Sequence, residues 1–292
     1  MLSVRAVPYL AMLLILGGTR TDAGEPSIER WDRAICLVES RTDAEGKSSG
    51  DAGSAFLLED DRKLILVTAG HVARFTTAKS RVLFRDSDGQ SHWFTLGGLT
   101  SGTGEPWRYH GQADLAAMEI DGGQAQKIHS ERFAALKALA IPTGNVITQV
   151  PHRTTKIEIV GFPMLLGATP NVSPLVMSAE VASRELPVEA KWGYERIVFA
   201  HPGVANGTSG GPAFVTTVSP LDVSVMGMYM GYQQDNHGNR LSKLVPGQVI
   251  LEFVRQQSLA EWNANGQESA EPQVQPSADA EEEAAAGSSA SS

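Results

Sequence analysis

Between Trp31 and about Gln256 the apolar residues come in short runs rich in Val, Ile, Leu and Phe, with Gly, Pro, Asn, Asp and Ser between them. Short apolar or alternating runs punctuated by turn formers predict β-strands. The first set of expected strands is Ile35–Glu39, Ser54–Leu58, Leu64–Thr68, Arg81–Phe84, Trp93–Leu96 and Leu115–Ile120. The second set is Ile157–Val160, Leu175–Val181, Arg196–Ala200, Ala213–Val218 and Val223–Tyr229. Ser87-Asp88-Gly89 and Asn236-His237-Gly238 are turn signals between strands. The period changes twice. Ala125–Leu139 reads as a helix that Pro142-Thr143-Gly144-Asn145 ends, and Pro246 sits where a last helix starts, with Val249, Ile250, Phe253 and Val254 on one face. The pattern predicts two all-β halves, a connecting segment and a terminal helix, with no repeat at a short fixed period.

Composition narrows the function classes. The chain has 292 residues, 42% hydrophobic and 20% charged, which suits a globular fold and excludes a collagen, a coiled coil or a wholly disordered chain. Six acids between Asn265 and Ser292, with no Lys or Arg among them, account for six of the nine net negative charges. The rest is nearly neutral and offers no basic stripe for nucleic acid. Cys36 is the single cysteine, which excludes an internal disulfide framework and a cysteine-based zinc cluster. In the first expected strand it reads as a small buried hydrophobe. No His, Asp and Glu group has metal-ligand spacing, so neither a metal nor another cofactor is expected.

The two ends read differently from the middle. Arg5 precedes the apolar run Tyr9–Leu16, which is shorter than the roughly 20 residues of a membrane span. Thr21-Asp22-Ala23 then places small residues at the two positions a signal peptidase reads. Residues 1–23 are therefore expected to be a signal peptide cut before Gly24, and the protein to be secreted or periplasmic, without a stable membrane span. Residues 265–292 are mostly Ala, Ser, Glu, Gln and Pro and are expected to be a disordered acidic tail.

Three segments carry candidate chemistry. Val67-Thr68-Ala69-Gly70-His71-Val72 follows an expected strand, Ala113-Asp114-Leu115-Ala116 opens another, and Gly207-Thr208-Ser209-Gly210-Gly211-Pro212 surrounds one serine with glycines. Acyl transfer needs a nucleophile, a base to take its proton, an acid to fix the base's tautomer, and donors for the oxyanion. Each segment taken alone has a plainer reading: a core histidine, a strand-start acid and a turn serine.

Together, TAGH, ADLA and GTSGGP resemble the His, Asp and Ser motifs of the trypsin-like (chymotrypsin-fold) serine proteases. The order and the gaps of 43 and then 95 residues match that family, over about Trp31 to Gln256 and including Gly53-Ser54-Ala55-Phe56 before the histidine. The resemblance implies an all-β fold of two six-stranded antiparallel β-barrels packed at right angles, with a C-terminal helix. The barrels would cover about 31–122 and 151–256, within a protease domain at 28–262. His71 and Asp114 would come from the first barrel and Ser209 from the second. Ser209 would be the nucleophile, His71 the base, Asp114 its orienting acid, and the backbone N–H groups of Gly207 and Ser209 the oxyanion hole. The implied substrate is a polypeptide and the default state a monomer. The resemblance also puts the base of the primary pocket at Gly203 and its wall at Tyr229, Met230 and Gly231. None of these carries charge, so a pocket for small or medium apolar residues is expected.

The chain departs from the digestive enzymes at Thr208, where they carry an Asp that pairs with the terminus freed by zymogen cleavage. It is closer to the bacterial trypsin-like peptidases, whose oxyanion hole forms without such cleavage. Asn206-Gly207-Thr208 and Asn171-Val172-Ser173 are formal glycosylation sequons, and a glycan on the first would obstruct the oxyanion loop. Two rival readings stand beside the protease. Gly207-Thr208-Ser209-Gly210-Gly211 also fits G-x-S-x-G, but an α/β-hydrolase esterase needs a helix after the serine and its acid and histidine later in the chain. A catalytically silent binding protein of the same fold is the other.

Overall fold

The computed structural model describes residues 31–39, 52–61, 63–86, 90–100, 105–121, 134, 136–168, 172–216 and 223–255. The most apolar runs form its centre. Strands β1 (Ile35–Glu39), β2 (Ala52–Asp60) and β3 (Lys63–Thr68) make an antiparallel meander, with Leu37 opposite Ser54 and Leu57 opposite Leu66. Gly53 to Leu58 is buried without a break, so both faces of β2 are covered and the run shows no alternation. The sheet is completed by β4 (Arg81–Arg85), β5 (Ser91–Thr95), β6 (Arg108–Tyr109), β7 (Ala116–Ile120) and β8 (Ile141–Pro142). Its order is β5-β4-β1-β2-β3-β7-β6, and β8 lies parallel to β2. A short helix, α1 (Gly70–Arg74), leaves the end of β3, and α2 (Leu96–Leu99) follows β5.

The second sheet holds β9 (Lys156–Gly161), β10 (Leu175–Val181), β11 (Leu186–Ala190), β12 (Gly193–His201), β13 (Pro212–Thr216), β14 (Val223–Gln234) and β15 (Arg240–Pro246). Its order is β10-β9-β13-β14-β15-β12-β11, and β10 also pairs with β12, so six of the strands form a closed circuit with β11 outside it. Helix α3 (Gly247–Arg255) ends the described chain. Val249, Ile250, Leu251, Phe253 and Val254 are buried, the face expected from their spacing with Leu251 added.

The all-β architecture with a terminal helix is as expected, and the closed circuit of the second sheet has the expected six strands. Among the described residues the first sheet has eight strands rather than six, and β11 is a seventh strand of the second. The two-residue strands β6 and β8 are too short to leave a pattern. β11 (Leu-Pro-Val-Glu-Ala) shows mostly exposed or half-buried positions and contains a proline, which suits an edge strand. β15 was hidden because Leu241 to Val245 runs directly into the helix. Trp93–Leu96 is also corrected, since Leu96 starts α2 after β5 ends at Thr95. Ala134 and residues 136–139 are helical, and Thr143–Asn145 is a 3-10 turn. Residues 1–23, the rest of Ala125–Leu139, Ser87–Gly89, Val218, Asn171 and the tail 265–292 lie outside the described residues.

One apolar cluster spans both sheets. It joins Phe56, Leu66 and Phe84 of the first sheet to Val160, Phe214 and Met228 of the second and to Phe253 of α3. A smaller cluster fills the closed circuit with Ile157, Ile159, Val198, Tyr229 and Leu244. Burying a large aliphatic or aromatic side chain stabilises by about 1.5–3 kcal/mol, so this shared core is what holds the two sheets together.

Candidate active site

The site is built where the ends of β3, β7 and β13 meet. Thr68 ends β3, and Ala69 turns the chain in extended conformation into α1, so that His71 lies in the first turn beside the loop before β7. Asp114 sits in that loop and is 6% exposed. Its two oxygens serve one residue. Oδ1 accepts the backbone N–H of His71 at 2.8 Å, and Oδ2 lies 2.5 Å from His71 Nδ1. Both contacts fix the ring, and its Nε2 has no hydrogen-bond partner among the described residues. Gly70 permits the approach: a Cβ there would stand 2.9 Å from Asp114 Oδ1.

Ser209 is half-buried in the loop ahead of β13, and its carbonyl accepts the Ser54 N–H at 2.8 Å. Gly53 lies between the two halves of the site, since a Cβ on it would come within 2.7 Å of Val72 and 3.2 Å of the Ser209 carbonyl. The Ser209 hydroxyl has no hydrogen-bond partner among the described residues, His71 included.

The glycines around Ser209 have separate reasons. Gly207 has φ +92° and Gly210 φ +90°, both in the region that favours glycine. A Cβ on Gly210 would stand 1.9 Å from the Ser54 carbonyl oxygen, and one on Gly211 2.1 Å from that of Val160. These two glycines let the serine loop press on the first sheet and on β9. The N–H groups of Gly207 and Ser209 have no backbone partner among the described residues. Thr208 is fully buried, with its hydroxyl 3.9 Å from Met177 Sδ and no carboxylate in its place. Pro212 begins a strand, not a helix, which removes the α/β-hydrolase reading.

Next to His71 and Asp114 opens a cavity of about 390 Å³. Met230 and Gly231 line it, as does the tip of the β11–β12 hairpin with Trp192. Arg74, one turn after His71, lies 5.6 Å from the Trp192 ring centre and 5.5 Å from that of Tyr109, so a cation spans the two halves over aromatic faces. Nothing in the sequence signals that the hairpin tip reaches the site. Of the four expected pocket residues, Gly203 and Tyr229 do not line this cavity. Gly203 packs against Arg240, to whose carbonyl it donates at 3.0 Å. Tyr229 is fully buried, its hydroxyl donates to the Val204 carbonyl at 3.2 Å, and burial first, then the charge of Tyr232, pushes its pKa up. Among the described residues no three His, Cys, Asp or Glu side chains gather as a metal site.

A model of the trypsin-like peptidase domain matches residues 53–218, more than half of the chain. The chain belongs to the trypsin-like peptidase family. One solved structure agrees on the fold, and another is similar over most of its length. The MamO protease domain from Magnetospirillum magneticum, in its apo form, is 15% identical, with a TM-score of 0.51 over 77% of this chain and 98% of that one. The Rv3671c protease from M. tuberculosis H37Rv, in an inactive form, is 14% identical, with a TM-score of 0.49 over 80% of this peptidase and 93% of that chain. No curated protein sequence matches. The trypsin-like peptidase has no described helix long and apolar enough to cross a membrane.

Proposed function

We propose that this trypsin-like peptidase is a serine endopeptidase that cleaves polypeptides through Ser209, His71 and Asp114, and that it acts outside the cytoplasm after removal of residues 1–23. The observation that carries the reading is the double contact of Asp114 with His71, through the ring and through the backbone. A merely structural aspartate needs only one of them. A carboxylate on Nδ1 puts the ring proton there and leaves Nε2 to act as a base.

Ser209 Oγ attacks the scissile carbonyl carbon as its proton passes to His71 Nε2. The carbonyl π pair moves onto oxygen, and the N–H groups of Gly207 and Ser209 receive that charge. His71 then protonates the leaving amine, the C–N bond breaks, and an acyl-serine remains. Water, deprotonated by His71, attacks the acyl carbon, the bond from that carbon to Ser209 Oγ breaks, and the proton returns from His71 to Oγ as the acid leaves. In unliganded enzymes the bond between nucleophile and base is often long and tightens when substrate binds, which suits the unbonded Ser209 hydroxyl. Buried Thr208 supports an enzyme competent without an ion pair to a newly cut terminus. The N–H pair, without a backbone partner among the described residues, favours this reading over a silent binding protein, where such donors would go unused. The test is turnover of an unfolded protein substrate: wild type cleaves it into peptides, and purified Ser209→Ala, folded to the same Tm, does not. Equal cleavage by the two proteins would remove the assignment.

A further inference from the structure

Gly207 raises a problem of control. Its φ of +92° and the backbone crowding at its Cβ position, 2.8 Å from the Phe162 carbonyl oxygen and 2.9 Å from the Met164 nitrogen, require glycine. Glycine is also the residue whose flanking peptides rotate most freely, so an amide that must stay aimed needs clamps from outside. Two are present. The Asn206 carbonyl accepts the Met164 N–H at 2.8 Å. In a trans peptide the C=O and the following N–H point opposite ways, so this bond turns the Gly207 N–H away from the Met164 loop. The Gly207 carbonyl accepts the Ser54 hydroxyl at 2.9 Å, which pins the next peptide.

We infer that Ser54, at the start of β2 and on the other sheet, is a positioning residue for the oxyanion-binding amides. The inference rests on the proposed endopeptidase reading. Ser54 is fully buried and every polar atom it has is engaged. Its N–H holds the Ser209 carbonyl at 2.8 Å, and its carbonyl accepts the Thr68 hydroxyl at 2.7 Å. Its Oγ accepts the Phe162 N–H at 2.9 Å while donating to Gly207. A hydroxyl has one donor and two acceptor sites, so this side chain makes a relay, N–H to O–H to C=O, from the Phe162 loop through the first sheet to the oxyanion loop. The two carbonyls it holds belong to the two residues whose N–H groups are the proposed oxyanion donors. Met164 (φ +52°) and Leu165 (φ +64°) sit in left-handed conformations beside the first clamp, local strain accepted where the Met164 N–H is aimed.

The test compares wild type, Ser54→Ala and Ser54→Cys on one peptide series. A misaimed oxyanion donor acts in the transition state, so kcat should fall about 100-fold with KM within about twofold. A peptide aldehyde, whose hemiacetal oxygen occupies the oxyanion site, should lose affinity by the same factor. The matching peptide carboxamide, which makes no such oxygen, should bind as it does to wild type. Ser54→Cys keeps the volume with a weak donor and should move in the same direction. A folded Ser54→Ala with wild-type kcat overturns the inference, as does a kcat loss with aldehyde affinity intact or the failure of both variants to fold. A wild type that neither turns over peptide nor favours the aldehyde over the carboxamide overturns the endopeptidase reading itself.

Discussion

Asp114 is 6% exposed and spends both oxygens on His71, which makes it the residue whose chemistry is least replaceable. Asp114→Asn keeps the shape but offers an amide N–H or carbonyl where a charge stood, and the ring takes the wrong tautomer. We expect kcat to fall about 10⁴-fold, the loss this change brings in serine proteases of this fold, with Tm little altered; stopped assays at high enzyme concentration measure it. A second residue-scale expectation concerns specificity. Met230 and Gly231, the expected pocket residues that do line the cavity, carry no charge, and its carboxylates Asp114, Glu189 and Glu195 are matched by Arg74, Lys191 and Lys243, with Glu195 held by Lys243 at 3.1 Å, so the lining offers no spare anion for a substrate cation. A peptide library should show cleavage after small or medium apolar residues, and dominant cleavage after Lys or Arg would contradict the pocket assignment. His71, Asp114 and Ser209, the proposed base, acid and nucleophile, were legible as candidates because those roles need particular residue types in short signatures. Ser54, Arg74 and Trp192 were not, because a serine in a strand, an arginine in a helix and a tryptophan in a hairpin tip become part of a site only through tertiary contact.

Elements bring these residues together by close backbone approach, so the glycines of the serine loop are structural constraints. Gly210→Ala sets a Cβ 1.9 Å from the Ser54 carbonyl oxygen at φ +90°, and the neighbour is backbone that cannot swing aside. Overpacking and left-handed strain together should cost about 3 kcal/mol or more, read as a Tm lower by about 10 °C in a thermal melt. The loop before β7 carries a pH dependence. His110 meets the Phe253 ring edge to face with centroids 5.3 Å apart, and its Nδ1 accepts the Gln112 N–H at 3.0 Å. Burial holds its pKa below the ordinary value, opposed by Glu252 and aided by Arg196. The unfolded chain then takes up this proton at about pH 6.5, before the folded one does. The stabilisation is complete above that pH and is lost as pH falls through the folded pKa. Melts from pH 7.5 to 5.5 should show Tm falling, and the fall should be shallower in His110→Phe. Strands with a continuous apolar run or clean ends, such as β1 and β10, were legible to the residue. β11 and β15 were not, one for its exposed edge composition and the other for running unbroken into α3.

At the scale of the whole molecule, the shared apolar cluster makes the two sheets one cooperative unit, although the strand pairings divide cleanly between them. The division into halves was therefore legible in the sequence, and their joining was not, since a period-2 pattern reports that a face is buried but not against what. Helix α3 closes that core, with Arg255 3.4 Å from Asp60 and Phe253 under Arg108 of the first sheet. Its buried side chains together contribute about 8 kcal/mol, comparable with the 5–15 kcal/mol net stability of a domain. Ending the chain before Gly247 should abolish folding, whereas ending it after Asn265 should leave Tm within about 2 °C and kcat unchanged, because the acidic tail has no apolar periodicity to place in a core. The central claim, that His71 and Asp114 activate Ser209, is tested most directly by covalent labelling. A fluorophosphonate probe should add at one site to the protein freed of residues 1–23 and otherwise uncut, and mass spectrometry of the digest should locate the adduct at Ser209. The adduct should disappear in Ser209→Ala and slow by orders of magnitude in Asp114→Asn. An unlabelled wild type, or an adduct that persists in Ser209→Ala, would contradict the account.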